Sequence, residues 1–494
     1  MADFKSSQDR ASGRMTRRGA IAAVGASALF SATASSATFN RRAAGNRTGD
    51  ARPNVIFVLA DDLGYADLSC FGRRDYATPA LDRLARQGVK FTNAYSNSPV
   101  CSATRTALMS GQYQYRMAVG LEEPLVARDV GYDAGRASMP MAFQAAGYET
   151  ALVGKWHLGT LPRFSPLKSG YDHFWGIRGG GVDYFSHGTL GGPDLWDGDT
   201  PVEQTGYLTD LLGQKSVEML DHFAGSDRPF FMSLHFTAPH WPWIAPDDQA
   251  ESARISGSDD PLALVHYDSG TLATYAEMVK RLDYQIGRLV DRLDELGLGR
   301  NTIVIFSSDN GGERFSDTWP FTGRKTELLE GGIRVPTIMR WPDGALPIGE
   351  NDTPMMSMDW FPTLLGMAGV AAPKDHAFDG VDLTVAMRGG DAAERDLFWR
   401  YKIFDQAAVR RGNWKYLKIK GNEFLFDIVA DPLERANLMR REPAVFETLK
   451  ASYGAWNAGM LPYDDASFSA THNGATTADR FGINRSKSAV GRAY

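Results

Sequence analysis

Cysteine is almost absent from this chain, because its 494 residues include only Cys70 and Cys101. A disulfide-rich scaffold is therefore excluded, although the two thiols could form one disulfide in an oxidising compartment. Basic residues are not in excess either: 53 lysines and arginines face 59 acidic residues, for a net charge of −6. With no basic run to bind nucleic acid, any specificity for an anion must come from a local site.

The chain also lacks a long apolar run and internal repeats. We therefore predict that it is not an integral membrane protein. Residues 1–37 have the pattern of an export signal, in which Thr16-Arg17-Arg18-Gly19 precedes a short apolar stretch and a small-residue exit. The arginine pair resembles a twin-arginine signal, although Ala20 and Ala22 depart from its usual pattern. The expected location is periplasmic or secreted, and a disordered basic tail is the alternative.

Strand-like and helix-like segments alternate after a polar linker at residues 38–52. Buried strands are predicted at Asn54–Ala60, Tyr148–Trp156, Phe230–Phe236 and Thr302–Ser307, and helices at Thr78–Gly88, Met139–Ala146 and Leu272–Leu296. This alternation predicts an α/β fold, with a large domain at residues 53–395 built on a mostly parallel central sheet flanked by helices.

The pattern changes near Asp396. Short strand-like runs separated by polar turns follow at Leu397–Tyr401, Ala407–Arg411, Trp414–Ile419 and Glu423–Asp427, and Pro443–Trp456 is predicted as a helix. Such runs are typical of an antiparallel sheet. We predict a small C-terminal α+β domain at residues 396–464, in which the helix packs on the sheet, and an irregular tail at residues 465–494.

Paired polar residues follow two of the predicted strands. Asp61 and Asp62 come directly after the first strand, and Asp309-Asn310 follows the fourth. Ligands of doubly wound sheets bind beyond the carboxyl ends of the strands. Each pair alone is typical of a turn or a helix cap. Two pairs at matching strand ends favour an oxygen-rich site for Ca²⁺ or Mg²⁺ rather than zinc.

The segment Cys101-Ser102-Ala103-Thr104-Arg105 carries the most specific motif. It resembles the signature Cys-x-Pro/Ala-x-Arg of the type I sulfatase family, which belongs to the alkaline-phosphatase-like superfamily. It stands about forty residues after Asp61, as in that family. A dedicated enzyme oxidises this cysteine to formylglycine in type I sulfatases. A buried unreactive cysteine and a thiolate nucleophile are the alternatives.

Three other segments carry residues suited to an anion. Lys155 and His157 lie in Gly154–Gly159, which resembles the second sulfatase signature, and would share one face of a strand. His240 lies among prolines and tryptophans, where it could donate a proton to a leaving group. Lys325 precedes Glu330 by five residues, as in the sulfatase pattern. Taken singly, Lys155 and His157 are more typical of a solvated strand edge and Lys325 of a solvated lysine, whereas His240 is equally typical of a packed loop histidine.

The resemblance covers most of the chain after the linker. It runs in motif order from Asn54 to Pro336 and continues at Trp414–Tyr416 and Leu425–Glu434. The region Trp175–Tyr207 looks most like the arylsulfatase B and N-acetylgalactosamine-sulfatase branch.

The resemblance implies a mechanism and a role for each site residue. The implied ligands of one Ca²⁺ are Asp61, Asp62, Asp309, Asn310 and the modified Cys101. Formylglycine hydrates to a diol, one hydroxyl of which attacks sulfur and displaces the alcohol. Lys155 and Lys325 would stabilise the sulfate charge, and Arg105 would hold the diol. His240 would protonate the leaving oxygen, and His157 would orient the diol or act as its base.

The substrate is predicted to be a small-molecule or oligosaccharide sulfate ester, with a sulfated carbohydrate favoured over an aryl sulfate. Trp241 and Trp243 could stack on its ring or could be packing residues. The maturation partner is a formylglycine-generating enzyme. The rival functions are a phosphonate monoester hydrolase or phosphodiesterase of the same superfamily, a non-catalytic sugar-binding descendant, and a thiol-based hydrolase.

Overall fold

A computed structural model of the protein describes residues 52–122, 125, 129–189, 192–260, 263–266, 268–463 and 465. The predicted export signal lies outside the described residues, as do nearly all of the predicted linker and tail. The described residues belong to one compact unit that spans Asn46–Tyr494. The domain boundaries at residues 395 and 464 stay predictions.

Strands make up two main sheets. In chain order they are β1 (Asn54–Ala60), β2 (Val89–Phe91), β3 (Ala94–Tyr95), β4 (Glu149–Gly154), β5 (His173–Gly176), β6 (Gly188–Thr189), β7 (Gly192–Pro193), β8 (Trp196–Asp197), β9 (Thr200–Pro201), β10 (Phe230–His235), β11 (Thr302–Ser308), β12 (Thr337–Arg340), β13 (Gly349–Asn351), β14 (Met355–Met356), β15 (Leu397–Tyr401), β16 (Gln406–Arg411), β17 (Trp414–Ile419) and β18 (Asn422–Asp427).

Helices lie between most of the longer strands. They are α1 (Pro79–Arg86), α2 (Cys101–Ser110), α3 (Met139–Ala145), α4 (Leu208–Ala224), α5 (Gln249–Ser256), α6 (Leu272–Glu295), α7 (Glu330–Ile333), α8 (Trp360–Ala368), α9 (Thr384–Met387) and α10 (Pro443–Asn457). Short 3₁₀ helices lie at Ser69–Phe71, Gln114–Arg116, Ala118–Leu121, Pro166–Ser169, Ala263–Val265, Gly299–Asn301, Pro342–Gly344 and Ser357–Asp359.

The larger sheet contains ten of the described strands, in the order β13-β2-β12-β11-β1-β10-β4-β5-β8-β9. Its centre, from β11 to β5, is parallel, whereas β12, β8 and β9 pair in antiparallel fashion. The predicted mostly parallel sheet is therefore confirmed. Because Ala60 pairs with Ser308 and Leu59 with His235, the carboxyl ends of β1, β10 and β11 meet at one edge.

The central strand β1 is buried on both faces, as its continuous apolar run predicts. Ile56 and Val58 contribute to a core that also contains the apolar faces of α4 and α6. Val55 and Phe57 point to the opposite face, where α2, α3 and α8 pack. Successive side chains of a strand alternate between its faces, so one short segment joins the two helical layers.

The smaller sheet has the order β15-β16-β17-β18 and is antiparallel throughout. One of its faces, through Trp399 and Ala408, packs against Ala103 of α2. The opposite face, through Val409, contacts Phe446 of α10. The predicted sheet and its packed helix are confirmed, and the packing brings the small sheet next to the helix that begins at Cys101.

The predicted end of the second strand is wrong. The strand β4 ends at Gly154, so Lys155 and His157 lie beyond it. His157 has a φ of 56°, in the left-handed region. Strand alternation therefore does not explain why these two side chains lie near each other. Both cysteines are free thiols. None of the described helices is long and apolar enough to span a bilayer.

Candidate active site

The carboxyl edge of the larger sheet gathers the polar residues that the sequence motifs single out. Asp61-Asp62 follows β1, Asp309-Asn310 follows β11, and Lys155 follows β4. Cys101 is the first residue of α2, and His240 lies five residues after the end of β10. Ligand atoms of Asp61, Asp62, Cys101 and His240 all lie within 4.8 Å of one another. Segments far apart in the chain thus form one buried site.

Each of three buried carboxylates pairs with a buried cation. Lys155 Nζ donates to Asp61 Oδ2. Lys325 Nζ donates to Asp62 Oδ2 at 2.7 Å. The guanidinium of Arg105 donates to Asp309 Oδ2 through Nε at 3.0 Å and through Nη2 at 2.8 Å. Arg105 also donates to the carbonyl of Lys155 at 3.1 Å, so the buried carboxylates and cations form one network.

The charge of this network is close to balanced. Glu313 adds a fourth carboxylate, 3.6 Å from Lys325 Nζ. Among the described residues, the four carboxylates and the three cations Lys155, Lys325 and Arg105 leave one excess negative charge when the histidines are neutral. A bound divalent cation would change this excess to one positive charge, and the site would then attract a singly charged sulfate monoester.

Burial and neighbouring charges act in opposite directions on the carboxylates. Burial alone would raise the pKa of Asp62, but the positive groups around it, above all the ammonium of Lys325, outweigh burial and hold the pKa at about 2. Burial, followed by the Asp61 carboxylate, raises the pKa of Asp309 to about 6. A cation beside Asp309 would favour its ionised form.

Two oxygen atoms suit the site to a hard cation. Asp61 Oδ1 and Asn310 Oδ1 are buried, and neither has a hydrogen-bond partner among the described residues. Asn310 Nδ2 donates to Asp62 Oδ1 at 2.7 Å, and this hydrogen bond fixes the orientation of the amide. Buried acceptors without donors are costly unless a cation or water satisfies them. The donor set of carboxylate and amide oxygens fits Ca²⁺ or Mg²⁺.

Cys101 is not in the state of a thiolate nucleophile. Its side chain is buried, and Sγ lies 3.9 Å from Asp62 Oδ1. Burial, followed by the negative charge of Asp61, raises the pKa of the Cys101 thiol well above its usual value. Reactive cysteines have a lowered pKa instead. The surroundings of Cys101 therefore disfavour the thiol-based hydrolase.

His240 points its imidazole at the carboxylates. Its Nδ1 donates to the carbonyl of Trp241 at 2.7 Å, and its Nε2 lies 3.5 Å from Asp62 Oδ2. Burial and the ammonium of Lys325 lower the pKa of His240 to about 3, so the ring is neutral at pH 7 in the substrate-free protein. The hydroxyl of Tyr184 donates to the His240 carbonyl at 2.9 Å and holds this residue in place.

His157 presents an unprotonated nitrogen to the interior. Its Nε2 donates to the carbonyl of Leu125 at 2.9 Å, and its Nδ1 is buried without a partner among the described residues. Burial and the charge of Lys155 lower the pKa of His157 well below its usual value. A neutral ring with a free acceptor can take a proton or a hydrogen bond from a neighbouring hydroxyl.

The glycine run Gly179–Gly181 is a feature that the sequence motifs miss. A Cβ on Gly180 would lie 2.7 Å from His157 Cε1, and a Cβ on Gly181 would lie 2.9 Å from His240 Cε1. The run therefore passes directly over both histidines. Glu313 is a second missed residue. Three glycines in a row and an acidic residue after the Asp309 motif are visible in the sequence, but neither indicates by itself what it contacts.

The small sheet holds the segment that carries Lys325, which we call the Lys325 loop (residues 323–330). Gln406 of β16 accepts from the amide of Leu328 and donates to the carbonyl of Thr326, each at 2.8 Å. Glu434 accepts from the amide of Glu330 at 2.7 Å. The C-terminal sheet thus supports a residue of the site through the backbone of this loop.

The two tryptophans near His240 differ in exposure. Trp243 is 2% exposed and packs against Phe315 and the guanidinium of Arg314, so it is a packing residue. Trp241 is partly exposed, and its ring lies 4.3 Å from that of His240. Of the two, Trp241 is the one available to a substrate ring.

Comparisons with known proteins agree with this geometry. A profile of the Sulfatase family matches residues 53–370. The N-acetylgalactosamine-6-sulfatase of Canis lupus familiaris is 31% identical over 74% of this chain and 71% of its own length. The N-acetylgalactosamine-6-O-sulfatase of Bacteroides thetaiotaomicron is 27% identical over 82% of this chain and 93% of its own length.

Solved structures share the fold over most of the described chain. The crystal structure of Ps i-CgsB has a TM-score of 0.74 at 29% identity, and covers 82% of this chain and 92% of its own. The same protein has been crystallised with k-i-k-neocarrahexaose. The phosphonate monoester hydrolase of Agrobacterium radiobacter has a TM-score of 0.59 at 21% identity, covers 82% of this chain and 96% of its own, and shows likeness of fold alone.

Proposed function

The chain belongs to the sulfatase family and is a sulfuric ester hydrolase, and we propose that it removes sulfate from a sulfated carbohydrate through a formylglycine made from Cys101 and one bound Ca²⁺. The observation that carries the proposal is that Cys101 lies beside the cluster that contains Asp61 Oδ1 and Asn310 Oδ1, two buried oxygens for which the described part of the chain offers no hydrogen-bond donor. The phosphonate hydrolase alternative rests on a more distant likeness of fold.

A hydrated formylglycine would supply the attacking oxygen, and a divalent cation would supply positive charge to the sulfate. The residues of the chain do the rest. Lys155 and Lys325 are each buried and charged, and each can turn from its carboxylate to a sulfate oxygen as negative charge builds there. Arg105 holds Asp309 and the Lys155 carbonyl, and so keeps the ligand set aligned.

The histidines divide the proton transfers. His157 Nδ1 is a buried acceptor with no partner in the described segments, which suits it to orient or deprotonate a hydroxyl at position 101. His240 Nε2 faces the carboxylates and suits the leaving oxygen. A sulfate anion placed beside His240 would raise its pKa from the low value of the substrate-free site. Protonation of the leaving oxygen by His240 would then accompany cleavage of its bond to sulfur.

A sulfated sugar is the proposed substrate class. Two of the relatives bear the name N-acetylgalactosamine-6-sulfatase or its 6-O form, and one structural neighbour has been crystallised in complex with k-i-k-neocarrahexaose. In this chain, Trp241 is partly exposed beside His240 and offers an aromatic face for a sugar ring. The alternative small aryl sulfate would use the same face.

Two further proposals concern maturation. We propose that a formylglycine-generating enzyme oxidises Cys101 before the site closes, since the side chain is only 2% exposed in the folded protein. We also propose export to the periplasm or the medium, on the strength of the signal-like segment at residues 1–37.

The decisive experiment combines mass spectrometry with a substrate panel. Protein from the native host should yield the tryptic peptide Phe91–Arg105 with formylglycine at position 101. Sulfated saccharides should be hydrolysed in preference to phosphonate monoesters and phosphodiesters. An intact thiol in active protein would overturn the formylglycine proposal, and a preference for phosphonates would favour the rival hydrolase.

The matching variant is Cys101→Ala. We expect it to lose all measurable turnover, because the attacking oxygen is missing, while the loss of one buried sulfur costs roughly 1 kcal/mol of stability. Thermal unfolding and circular dichroism should therefore stay close to those of the parent protein. Substantial activity in a folded Cys101→Ala protein would contradict the mechanism.

A further inference from the structure

A second group of metal-binding side chains lies at the opposite edge of the larger sheet. Glu149 is the first residue of β4, His173 is the first residue of β5, and His222 lies in the last turn of α4. The active site follows the other end of β4, which spans six residues or roughly 20 Å. The two groups are therefore separate sites, and this inference does not depend on the proposed function.

The three side chains converge on one point. His222 Nε2 lies 2.7 Å and His173 Nε2 lies 3.0 Å from the same oxygen, Glu149 Oε1. One ligand atom from each residue lies within 4.8 Å of those of the other two. The two imidazole rings are nearly perpendicular, at 74° with centroids 5.1 Å apart. Two imidazoles and a carboxylate that converge in this way can bind a tetrahedral metal, with water as the fourth ligand.

The other oxygen of the carboxylate is already occupied. Arg228 Nη2 lies 3.0 Å from Glu149 Oε2, on the side away from the histidines. An arginine there fixes the carboxylate and leaves Oε1 for the metal, as outer hydrogen bonds do around many metal ligands. The Glu149 side chain is 8% exposed, whereas those of His173 and His222 are 39% and 52% exposed. The site therefore has one rigid ligand and an open route for the ion.

We propose that Glu149, His173 and His222 form a binding site for a transition-metal ion of the Zn²⁺ class, which ties α4 to the amino ends of β4 and β5. Imidazole nitrogen suits Zn²⁺ and its neighbours rather than the Ca²⁺ proposed for the active site. The ion would link α4 to the two strands β4 and β5, which already pair with each other in the sheet. Its expected role is to stabilise this edge of the sheet.

The test is a Zn²⁺ titration by calorimetry of the full chain in saturating Ca²⁺, which keeps the oxygen-rich site filled. We expect the parent protein to bind Zn²⁺. Its thermal unfolding midpoint should rise with Zn²⁺ concentration. The variants His222→Ala, His173→Ala and Glu149→Gln should each weaken binding at least tenfold. Arg228→Ala should weaken it about tenfold, because the carboxylate loses its outer partner.

His376→Ala is the matched control, since this partly buried histidine lies elsewhere and bonds to the carbonyl of Ser110. It should bind Zn²⁺ as the parent does. Bound Co²⁺ should give the visible absorption of a tetrahedral complex in the parent and lose it in His222→Ala. Equal Zn²⁺ uptake by the parent and the three ligand variants would overturn the proposal, as would the absence of Zn²⁺ binding at micromolar concentrations. Either result would mean that the group is an ion-pair cluster only.

Discussion

Gly180 and Gly181 show how a residue without a side chain shapes the active site. Each approaches a histidine so closely that a Cβ would stand within 3 Å of the ring. Real Cβ atoms essentially never come closer than 3.0 Å to such neighbours, and ordinary van der Waals contact begins at 3.4 Å. Because both rings are buried, with Nε2 of His157 and Nδ1 of His240 each bonded to a backbone carbonyl, they have little room to move aside.

We predict that Gly180→Ala lowers turnover by about 10- to 100-fold, because it displaces the His157 ring from the formylglycine hydroxyl proposed at position 101. Steady-state kinetics on a sulfated substrate would measure the change. The fall should be in kcat more than in KM, since His157 acts on the nucleophile rather than on substrate binding.

Gly188→Ala is the control in the same region. Among the described residues, the nearest neighbour of a Cβ on Gly188 would be Ser186 Oγ at 3.4 Å, and the φ of Gly188 is not in the left-handed region. It should leave kcat within about twofold of the parent value. Equal activity of the two variants would mean that the close approach of Gly180 does not position His157.

Among the elements, the small sheet and the Lys325 loop are joined by buried charges. Lys415 of β17 is fully buried, with Nζ 2.9 Å from Glu330 Oε1 and 2.8 Å from Glu434 Oε1. Burial would raise the pKa of Glu330, but Lys415 and Arg334 outweigh it and hold the pKa at about 2. Burial raises the pKa of Glu434 to about 7. The two carboxyls share one ammonium group and titrate together.

We predict that Lys415→Met destabilises the protein by about 3–5 kcal/mol at pH 7.5, because it removes the ammonium group that the two buried carboxyls share. Lys418→Met, on the same strand, removes a partly exposed ion pair with Asp405 and should cost about 1 kcal/mol or less. Thermal unfolding midpoints of the two variants would show the difference. Equal midpoints would contradict a structural role for the buried cluster.

The effect of Lys415→Met should also depend on pH. Without the ammonium, the pKa values of Glu330 and Glu434 both rise, so the carboxyls take up protons as the pH falls. A neutral buried carboxyl costs less than a buried charge. The difference in unfolding midpoint between parent and variant should therefore be largest near pH 7.5 and smaller at pH 5, whereas the Lys418→Met difference should change little over this range.

Folding of the whole chain brings buried carboxylates together in a site whose charge would be balanced by a bound cation. Counted over the described residues, the active site carries an excess negative charge and the buried oxygens Asp61 Oδ1 and Asn310 Oδ1, which have no hydrogen-bond donor there. We predict that removal of divalent ions with EGTA abolishes turnover and lowers the unfolding midpoint, and that Ca²⁺ restores both. At a hundred times its dissociation constant, a single ion would stabilise the fold by about 2.7 kcal/mol.

Asp61→Asn is the variant that assigns this effect to the active site. It removes a charge from the ligand set, so the rise in midpoint with Ca²⁺ should shrink or vanish. The Lys418→Met protein should keep the full rise. An unchanged midpoint and unchanged activity after metal analysis has verified ion removal would contradict a Ca²⁺ site.

Much of the fold could be read from local patterns. The strand at Asn54–Ala60 and the helix that starts at Leu272 agree with the structure to within a residue, because apolar runs and helical spacing reflect burial directly. The strand Trp414–Ile419, which its flanking turns predict, also agrees with the structure. The predicted end of β4 is wrong because the backbone is no longer extended at His157, whose φ is 56°, so the strand ends at Gly154.

The individual residues of the candidate site could be predicted from the sequence, because residue types suited to metal and anion chemistry follow the ends of predicted strands. The contacts between these residues could not be predicted. Which lysine faces which carboxylate, the passage of Gly180 over His157, and the support of the Lys325 loop by Gln406 all join segments far apart in the chain. Local sequence records how each segment folds, whereas these contacts exist only once the sheet order and helix packing have brought the segments together.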